Sequence, residues 1–530
     1  MDEHVGYEAI IKDPEIGMSF PTVKDCRSFL KDYAIFNRFE YHLDKNDPDR
    51  IRATCIHKEE HGCPWLFYAR VSGAKKADKH TCTIQGLQGE HSLDCLGNPM
   101  YANWLADSDW VAKKLLDQFK VHHRVWKSKN LEDEVWFRYG VNITYWVAWY
   151  ARIKMLEKVF GNYERSYELT PSCCWEVLRR NPRSIATVSR DSVDETFTGM
   201  CISFKASLLG WLEGCRPILG LDGCHLKGKY GGVCLSITGL DGNNGLFPIA
   251  IYICRGEDAA SWRKFLEIME ADLTDHPSKL TFMSDQQKGL KEVIQQIFPG
   301  ANHRFCFRHM YQNFKKDNKG GKALETLVWG AARAYKKVDC DKWMKQLKDI
   351  DAPSHAWLMA RDQNTWCRST FDTSTYCEHI TNNFSESFNA WIHDLRDRTP
   401  TGFVEHYCLM MMTQMWKRQV AARKMDMNGL LPRVHARLKH LEGFIKEYTY
   451  QPASDYCFSV QLQGGSNRWL VNLERKTCDC RVWQITGIPC VHAVLIIKLR
   501  KLGYHRYVFY CILLFSHIWG FMSYLFYTFM

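Results

Sequence analysis

The chain has 530 residues, 46% of them hydrophobic and 24% charged, so it is globular and too long for a single core; it should divide into several domains. Its formal net charge of +11 is unevenly spread: residues 1–100 carry 13 Lys/Arg against 16 Asp/Glu, whereas residues 401–530 carry 16 against 7. That balance excludes a uniformly acidic or disordered chain and points to a nucleic-acid partner, with the C-terminal third dominating nonspecific affinity.

The start, Met1-Asp2-Glu3-His4, is acidic and no apolar segment follows it, so neither a signal peptide nor a transit peptide is expected. In a reducing compartment 22 cysteines read as buried thiols and metal ligands rather than as a disulfide framework. Residues 20–100 mix short β-like runs such as Leu66–Val71 with Cys and His, as in a small metal-stabilised module. Residues 101–215 read as a mostly helical connector, with Trp110, Leu115, Leu116 and Phe119 spaced for one apolar face.

From Arg216 three apolar runs follow, Ile218–Leu221, Val233–Leu240 and Leu246–Ile253, the last two joined by the hairpin signal Asp241-Gly242-Asn243-Asn244-Gly245. A helix carrying Trp262, Phe265, Leu266, Met269 and Leu273 comes next, then a short run Leu280–Met283, a helical stretch Lys288–Phe298 and a brief run His303–Phe307. The order β-β-β-α-β-α-β is that of an α/β fold of the ribonuclease-H-like kind, an antiparallel hairpin sheet extended by parallel strands through helical crossovers. Residues 310–380 read as helical, with Trp329, Trp343, Trp357 and Trp366 as core candidates.

Asp222 closes the first of these strands and Asp285 the fourth, two places that lie side by side in such a fold. In Thr381-Asn382-Asn383-Phe384-Ser385-Glu386-Ser387-Phe388-Asn389-Ala390-Trp391, positions 384, 388, 391, 392 and 395 form one apolar face, and Glu386 points nearly opposite, sharing its side with Asn382 and Asn389. Taken singly, an Asp before Gly is a turn residue and a Glu on a polar helix face is solvated. Together the three acids suit two divalent ions about 3.5–4 Å apart, the arrangement for in-line phosphoryl displacement.

Leu221-Asp222-Gly223-Cys224-His225-Leu226-Lys227-Gly228-Lys229-Tyr230-Gly231-Gly232, Ser284-Asp285-Gln286-Gln287-Lys288-Gly289-Leu290 and the stretch around Glu386 resemble the three catalytic blocks of Mutator-like transposases. The resemblance implies that Asp222, Asp285 and Glu386 hold catalytic Mg2+ or Mn2+, with an all-helical insertion at about 307–380. Cys306-Phe307-Arg308-His309 resembles a further Cys-x-x-His signature of that family, at the start of the insertion; the roles of Cys306 and His309 stay open.

Cys478-Asp479-Cys480 and Cys490-Val491-His492, separated by nine residues, supply three thiolates and one imidazole for tetrahedral zinc. They resemble the SWIM zinc finger of the same family, and Gly487 and Pro489 suit the chain reversal between the pairs. Cys55, Cys63, His91 and Cys95 resemble the WRKY-like zinc module of Mutator-type DNA-binding domains; the gap from His91 to Cys95 is wider than in that pattern, and His80 and Cys82 are rival ligands. Tyr507–Met530 contains no charged residue and is long enough to span a bilayer. His517, Gly520 and two serines interrupt it, so a truncated or misread terminus is favoured over an anchor and a membrane partner is not expected.

The expected organisation is a DNA-binding zinc module at 1–100, a helical connector at 101–215, a transposase domain at 216–400, a helical linker at 401–460, a SWIM finger at 461–500 and an apolar tail at 507–530. The resemblance implies a nuclear transposase that cleaves and transfers DNA strands, possesses structural Zn2+, has no small-molecule substrate and works as a homodimer. The alternative is a domesticated, catalytically idle DNA-binding transcription regulator.

Overall fold

Short β-rich runs near the start of the chain pair into an antiparallel sheet ordered β1-β5-β4-β3-β2, formed by Ser19–Phe20 (β1), Tyr41–Asp47 (β2), Arg50–Cys55 (β3), Leu66–Val71 (β4) and Cys82–Gln88 (β5). Because side chains alternate along a strand, Ile51, Ala53, Phe67 and Ala69 are buried while Arg52 and Arg70 face solvent. Helix Val23–Phe36, capped by the Thr22 hydroxyl on the Asp25 amide, packs on β3 and β4. Trp110 Nε1 and Lys114 Nζ both donate to the Asp32 carboxylate, at 2.6 and 3.1 Å, tying helix Ser108–His122 to that first helix. Trp110, Leu115 and Phe119 are buried as their spacing predicts, and Leu116 is half-buried.

This computed structural model describes residues 12–71, 80–92, 95, 102–123, 125–318, 320–424 and 429–509, and the chain divides into two compact units, Met1–Asn162 and Tyr163–Met530. The division falls inside the stretch expected to be a helical connector. Helices Ser108–His122, Ser128–Tyr139 and Tyr145–Phe160 belong to the first unit, whereas residues 185–203 are strands in the sheet of the second. The runs Ile185–Arg190 (β6) and Phe197–Ser203 (β7) pair antiparallel across a turn closed by Asp191 N–H on Thr196 O at 2.8 Å. Their β-branched residues take the strand because β7 has a ladder partner in Leu246–Cys254, a contact across some fifty positions of sequence.

The second unit is built on a mixed seven-stranded sheet ordered β12-β11-β8-β9-β10-β7-β6, with Cys215–His225 (β8), Val233–Asp241 (β9), Leu246–Cys254 (β10), Thr281–Ser284 (β11) and Asn302–Phe305 (β12). Strands β8 to β10 run antiparallel and β11 and β12 parallel to β8, in the order expected from residue 216 onward. The turn at 241–245 forms because the Asp241 carboxylate accepts from the Asn243 and Gly245 amides at 2.9 and 2.6 Å, with Asn244 in the left-handed region at φ 64°.

Both faces of this sheet are covered, which is why β9 reads as a nearly continuous apolar run. Helix Ala259–Thr274 lays Trp262, Phe265, Leu266, Met269 and Leu273 on one face, its N-terminus capped by Asp258. Phe388, Ile392, Phe403, Val404, Tyr407 and Met411, from helices Asn383–Trp391 and Pro400–Ala422 and the bend between them, cover the other. Between β12 and the helix at 383, the helices Phe307–Asp317, Lys322–Arg333, Lys337–Ile350 and Ala352–Met359 pack around their own core. Trp366 is fully buried in that core, and Trp329, Trp343 and Trp357 pack against it partly exposed.

A four-stranded antiparallel sheet, Tyr448–Pro452 (β13), Cys457–Leu462 (β14), Arg468–Asn472 (β15) and Thr477–Cys478 (β16), closes the described chain together with helices Val482–Thr486 and Val491–Leu499. The apolar tail lies outside the described residues from 510 onward, and no helix among the described residues is long and apolar enough to cross a membrane.

Candidate zinc centres and acidic site

In the C-terminal sheet, β16 ends on Cys478 and the chain turns at Arg481, φ 60°, so that Cys480 folds back beside it. Gly487, φ 71°, ends helix Val482–Thr486 in the left-handed region, and Cys490 then caps helix Val491–Leu499 with His492 in its first turn. The ligand atoms of Cys478, Cys480, Cys490 and His492 all lie within 4.8 Å of one another. His492 Nδ1 stands 3.4 Å from Cys478 Sγ and 3.8 Å from Cys490 Sγ. Ligands at about 2.0–2.3 Å from one tetrahedral ion are about 3.5 Å apart, so the donor set and its spacing fit a closed zinc site. Trp469 stacks on the His492 ring at 4.2 Å and fixes its plane.

The first unit holds a second such set. Ligand atoms of Cys55, Cys63, His91 and Cys95 lie within 4.8 Å of one another, with Cys63 Sγ 3.5 Å from His91 Nδ1. Cys95 reaches the cluster with its N–H on Ser92 O at 3.0 Å. Trp65 stacks on His91 at 5.3 Å. Of the rival ligands, Cys82 is buried beside the Cys26 thiol, which burial and that neighbour push up in pKa; neither Cys82 nor His80 joins the cluster.

The acidic site sits at one end of the central sheet. β11 aligns Met283 with Gly220 of β8, and two residues farther on in each chain come Asp285 and Asp222, which the parallel register brings side by side. Asp222 does not close its strand as the sequence suggested: pairing with β9 continues through Asp222↔Ser236 to His225↔Val233. Its Oδ1 accepts from the Gly223 amide at 2.9 Å and its Oδ2 from Asn389 Nδ2 at 2.8 Å. Burial, then the neighbouring Asp285 charge, raises the Asp222 carboxyl to about 7.

Helix Asn383–Trp391 reaches this place because Asn382 N–H meets Cys306 Sγ at 3.3 Å and Asn382 Nδ2 meets Leu221 O at 3.0 Å. Gly220 leaves the room for Phe384 and Ser385 to approach β8, and any side chain there would collide with them. Asn382, expected beside Glu386, is instead buried as the N-cap. Cys306 in turn caps helix Phe307–Asp317, whose first turn presents Arg308 and His309. Arg308 Nη1 donates to Glu386 Oε2 at 2.6 Å. His309 Nδ1 lies 2.5 Å from Asp285 Oδ1, and Asp285 followed by Cys306 holds its imidazolium up to a pKa of about 10. Asp285, Cys306 and His309 form one cluster with ligand atoms within 4.8 Å.

Sequence reasoning missed Glu257, which precedes the capping Asp258. Burial is the main cause that pushes its carboxyl up, and Asp285 adds to it. Two acids in succession before a helix, only one of them needed as a cap, were the available signal.

Family models match three segments of the chain. Residues 218–313 match the MULE transposase domain, which spans Asp222, Asp285, Cys306 and His309. Residues 13–84 match the DNA-binding domain of the MuDR family transposase, and residues 458–500 the SWIM zinc finger with all four of its ligands. The chain carries the modules of a Mutator-like transposase. Its DNA-binding module implies a DNA partner, and the two Cys/His sets have the donors and spacing that suit structural zinc. No curated protein matches the chain.

Proposed function

We propose that the protein is a metal-dependent DNA transposase acting in the nucleus as a homodimer, with a ribonuclease-H-like catalytic domain interrupted by the helices from Phe307 to about residue 380. The strand order of the central sheet and the separate core of those helices support the fold reading. One observation carries the catalytic reading. Glu386 Oε1 and Asn389 Oδ1 are buried without a hydrogen-bond partner, and the buried Asp285 Oδ1 meets the His309 imidazole at 2.5 Å, around an Asp222 whose charge is disfavoured. Buried carboxylate oxygens that lack donors are costly unless a cation meets them, so the donor set fits divalent ions.

Asp222 and Asp285 would hold such ions from the sheet and Glu386 from the facing helix. Mg2+ or Mn2+, when bound, supplies charge stabilisation to the attacking and leaving oxygens of the phosphodiester. Asn389 and the Gly223 amide fix the two Asp222 oxygens, Arg308 aims Glu386, and His309 pairs with Asp285. The positive helix start that carries Arg308 and His309 would also favour a DNA phosphate close by. The basic C-terminal third would contribute backbone contacts, and the N-terminal zinc module sequence preference.

Incubating the full chain with supercoiled DNA and Mg2+ or Mn2+ tests this reading. Nicking or linearisation is expected from the wild type and not from Asp285→Asn. Equal, background-level cleavage by both would contradict it and favour the transcription-regulator alternative.

A further inference from the structure

Glu257 lies in the polar stretch between β10 and helix Ala259–Thr274, and four features aim it into the acidic site. First, a Cβ placed on Gly223 would stand 2.6 Å from Glu257 Oε2, so the carboxylate rests against the bare backbone of the residue after Asp222. Second, β11 ends at Ser284 while β8 runs on to His225, so Asp222 and Gly223 lie beyond Met283↔Gly220, the last pair between the two strands. Third, the position is held: Trp262 Nε1 donates to Glu257 Oε1 at 3.4 Å, and Gln287 Nε2 donates to the Glu257 carbonyl at 2.9 Å from the same loop that carries Asp285. Fourth, no Lys or Arg forms an ion pair with Glu257 among the described residues, although its charge is felt by Asp222 and it feels that of Asp285.

We propose that Glu257 is a fourth carboxylate ligand of the divalent-ion site, reaching it past Gly223, which is glycine to leave that path free. The proposal rests on the metal-dependent reading of Asp222, Asp285 and Glu386. A half-buried carboxylate that feels the charge of another is disfavoured without a cation, because like charges in a poorly solvated place repel. Its contact with Trp262 then serves to orient one oxygen and leave the other free toward the site.

Mn2+ binding by the full chain, followed through the electron paramagnetic resonance signal of the free ion, tests this with the metal alone and without DNA. Glu257→Gln is expected to weaken binding of at least one ion by about tenfold or more, as is Gly223→Ala, whose methyl group displaces the carboxylate. In metal-free protein Glu257→Gln should melt at or above the wild-type temperature, since it removes a repelled charge; a merely structural Glu257 would lower it. Glu257→Asp, which keeps the charge, should bind more tightly than the Gln variant. If Glu257→Gln binds Mn2+ like the wild type while Asp285→Asn loses it, Glu257 is no ligand but the three-acid site stands. If the wild type itself binds no Mn2+, both readings fall.

Discussion

Asn389 Nδ2 donates to Asp222 Oδ2 at 2.8 Å, so the helix that bears Glu386 is bonded directly to the first strand acid one turn beyond it. This contact orients a carboxylate whose other oxygen is already taken by the Gly223 amide. Replacing Asn389 by Ala frees Asp222 to rotate, and loss of such an orienting partner costs about 10–100-fold in metal affinity or activity. Metal-dependent cleavage should fall by that factor, while melting shifts by no more than a typical hydrogen bond supplies, about 1 kcal/mol. Wild-type cleavage by Asn389→Ala would show that the contact has no functional part.

For the C-terminal finger, Cys490→Ser in the full chain should release one zinc, measured by elemental analysis. Sheet β13–β16 should lose its amide protection with it, because Cys478 and Cys490 are also part of that small core. Retained protection in the variant would mean that the fold stands without its metal.

In the first unit the ligand choice is tested by a pair of variants. Cys95→Ser should lose the N-terminal zinc and Cys82→Ser should keep it, because Cys82 packs against Cys26 and away from the cluster. The opposite result would make Cys82 the fourth ligand.

Acid stability should depend on two half-buried imidazoles. Burial pushes His303 and His379 each from 6.5 down to about 4, so both stay neutral in the fold but take up a proton on unfolding below their ordinary value. Their stabilising contribution is present above pH 6.5 and is lost as pH falls toward 4. At about 1.4 kcal/mol per unit the loss is on the order of 3 kcal/mol for each. Urea unfolding of the wild type and His379→Gln between pH 7 and 4 isolates this from zinc release: the gap between the two should shrink on acidification. A constant gap would contradict it.

Much of this was legible in the sequence where a local rule applied. The hairpin at Asp241–Gly245 and the helical face of Trp262, Phe265, Leu266, Met269 and Leu273 follow from turn chemistry and periodicity alone. The Cys-x-Cys and Cys-x-His spacing located the SWIM ligands for the same reason. Long-range pairing was not legible. Strands β6 and β7 are fixed by β10, which lies far along the chain, and read alone they passed for part of a helical connector. Asp222 stands inside its strand because β9 stays paired past it. Glu257 was hidden beside Asp258, since a helix cap accounts for one acid and nothing local says what the other faces.

The central claim is that Asp222, Asp285 and Glu386 share a pair of divalent ions, and the electron paramagnetic resonance spectrum of the Mn2+-loaded full chain tests it most directly. Ions about 3.5–4 Å apart bridged by a common carboxylate give an exchange-coupled signal. The wild type should show that coupled spectrum and Asp222→Asn only isolated Mn2+ or none. Uncoupled Mn2+ in the wild type, or coupling that survives in Asp222→Asn and Asp285→Asn alike, would contradict it.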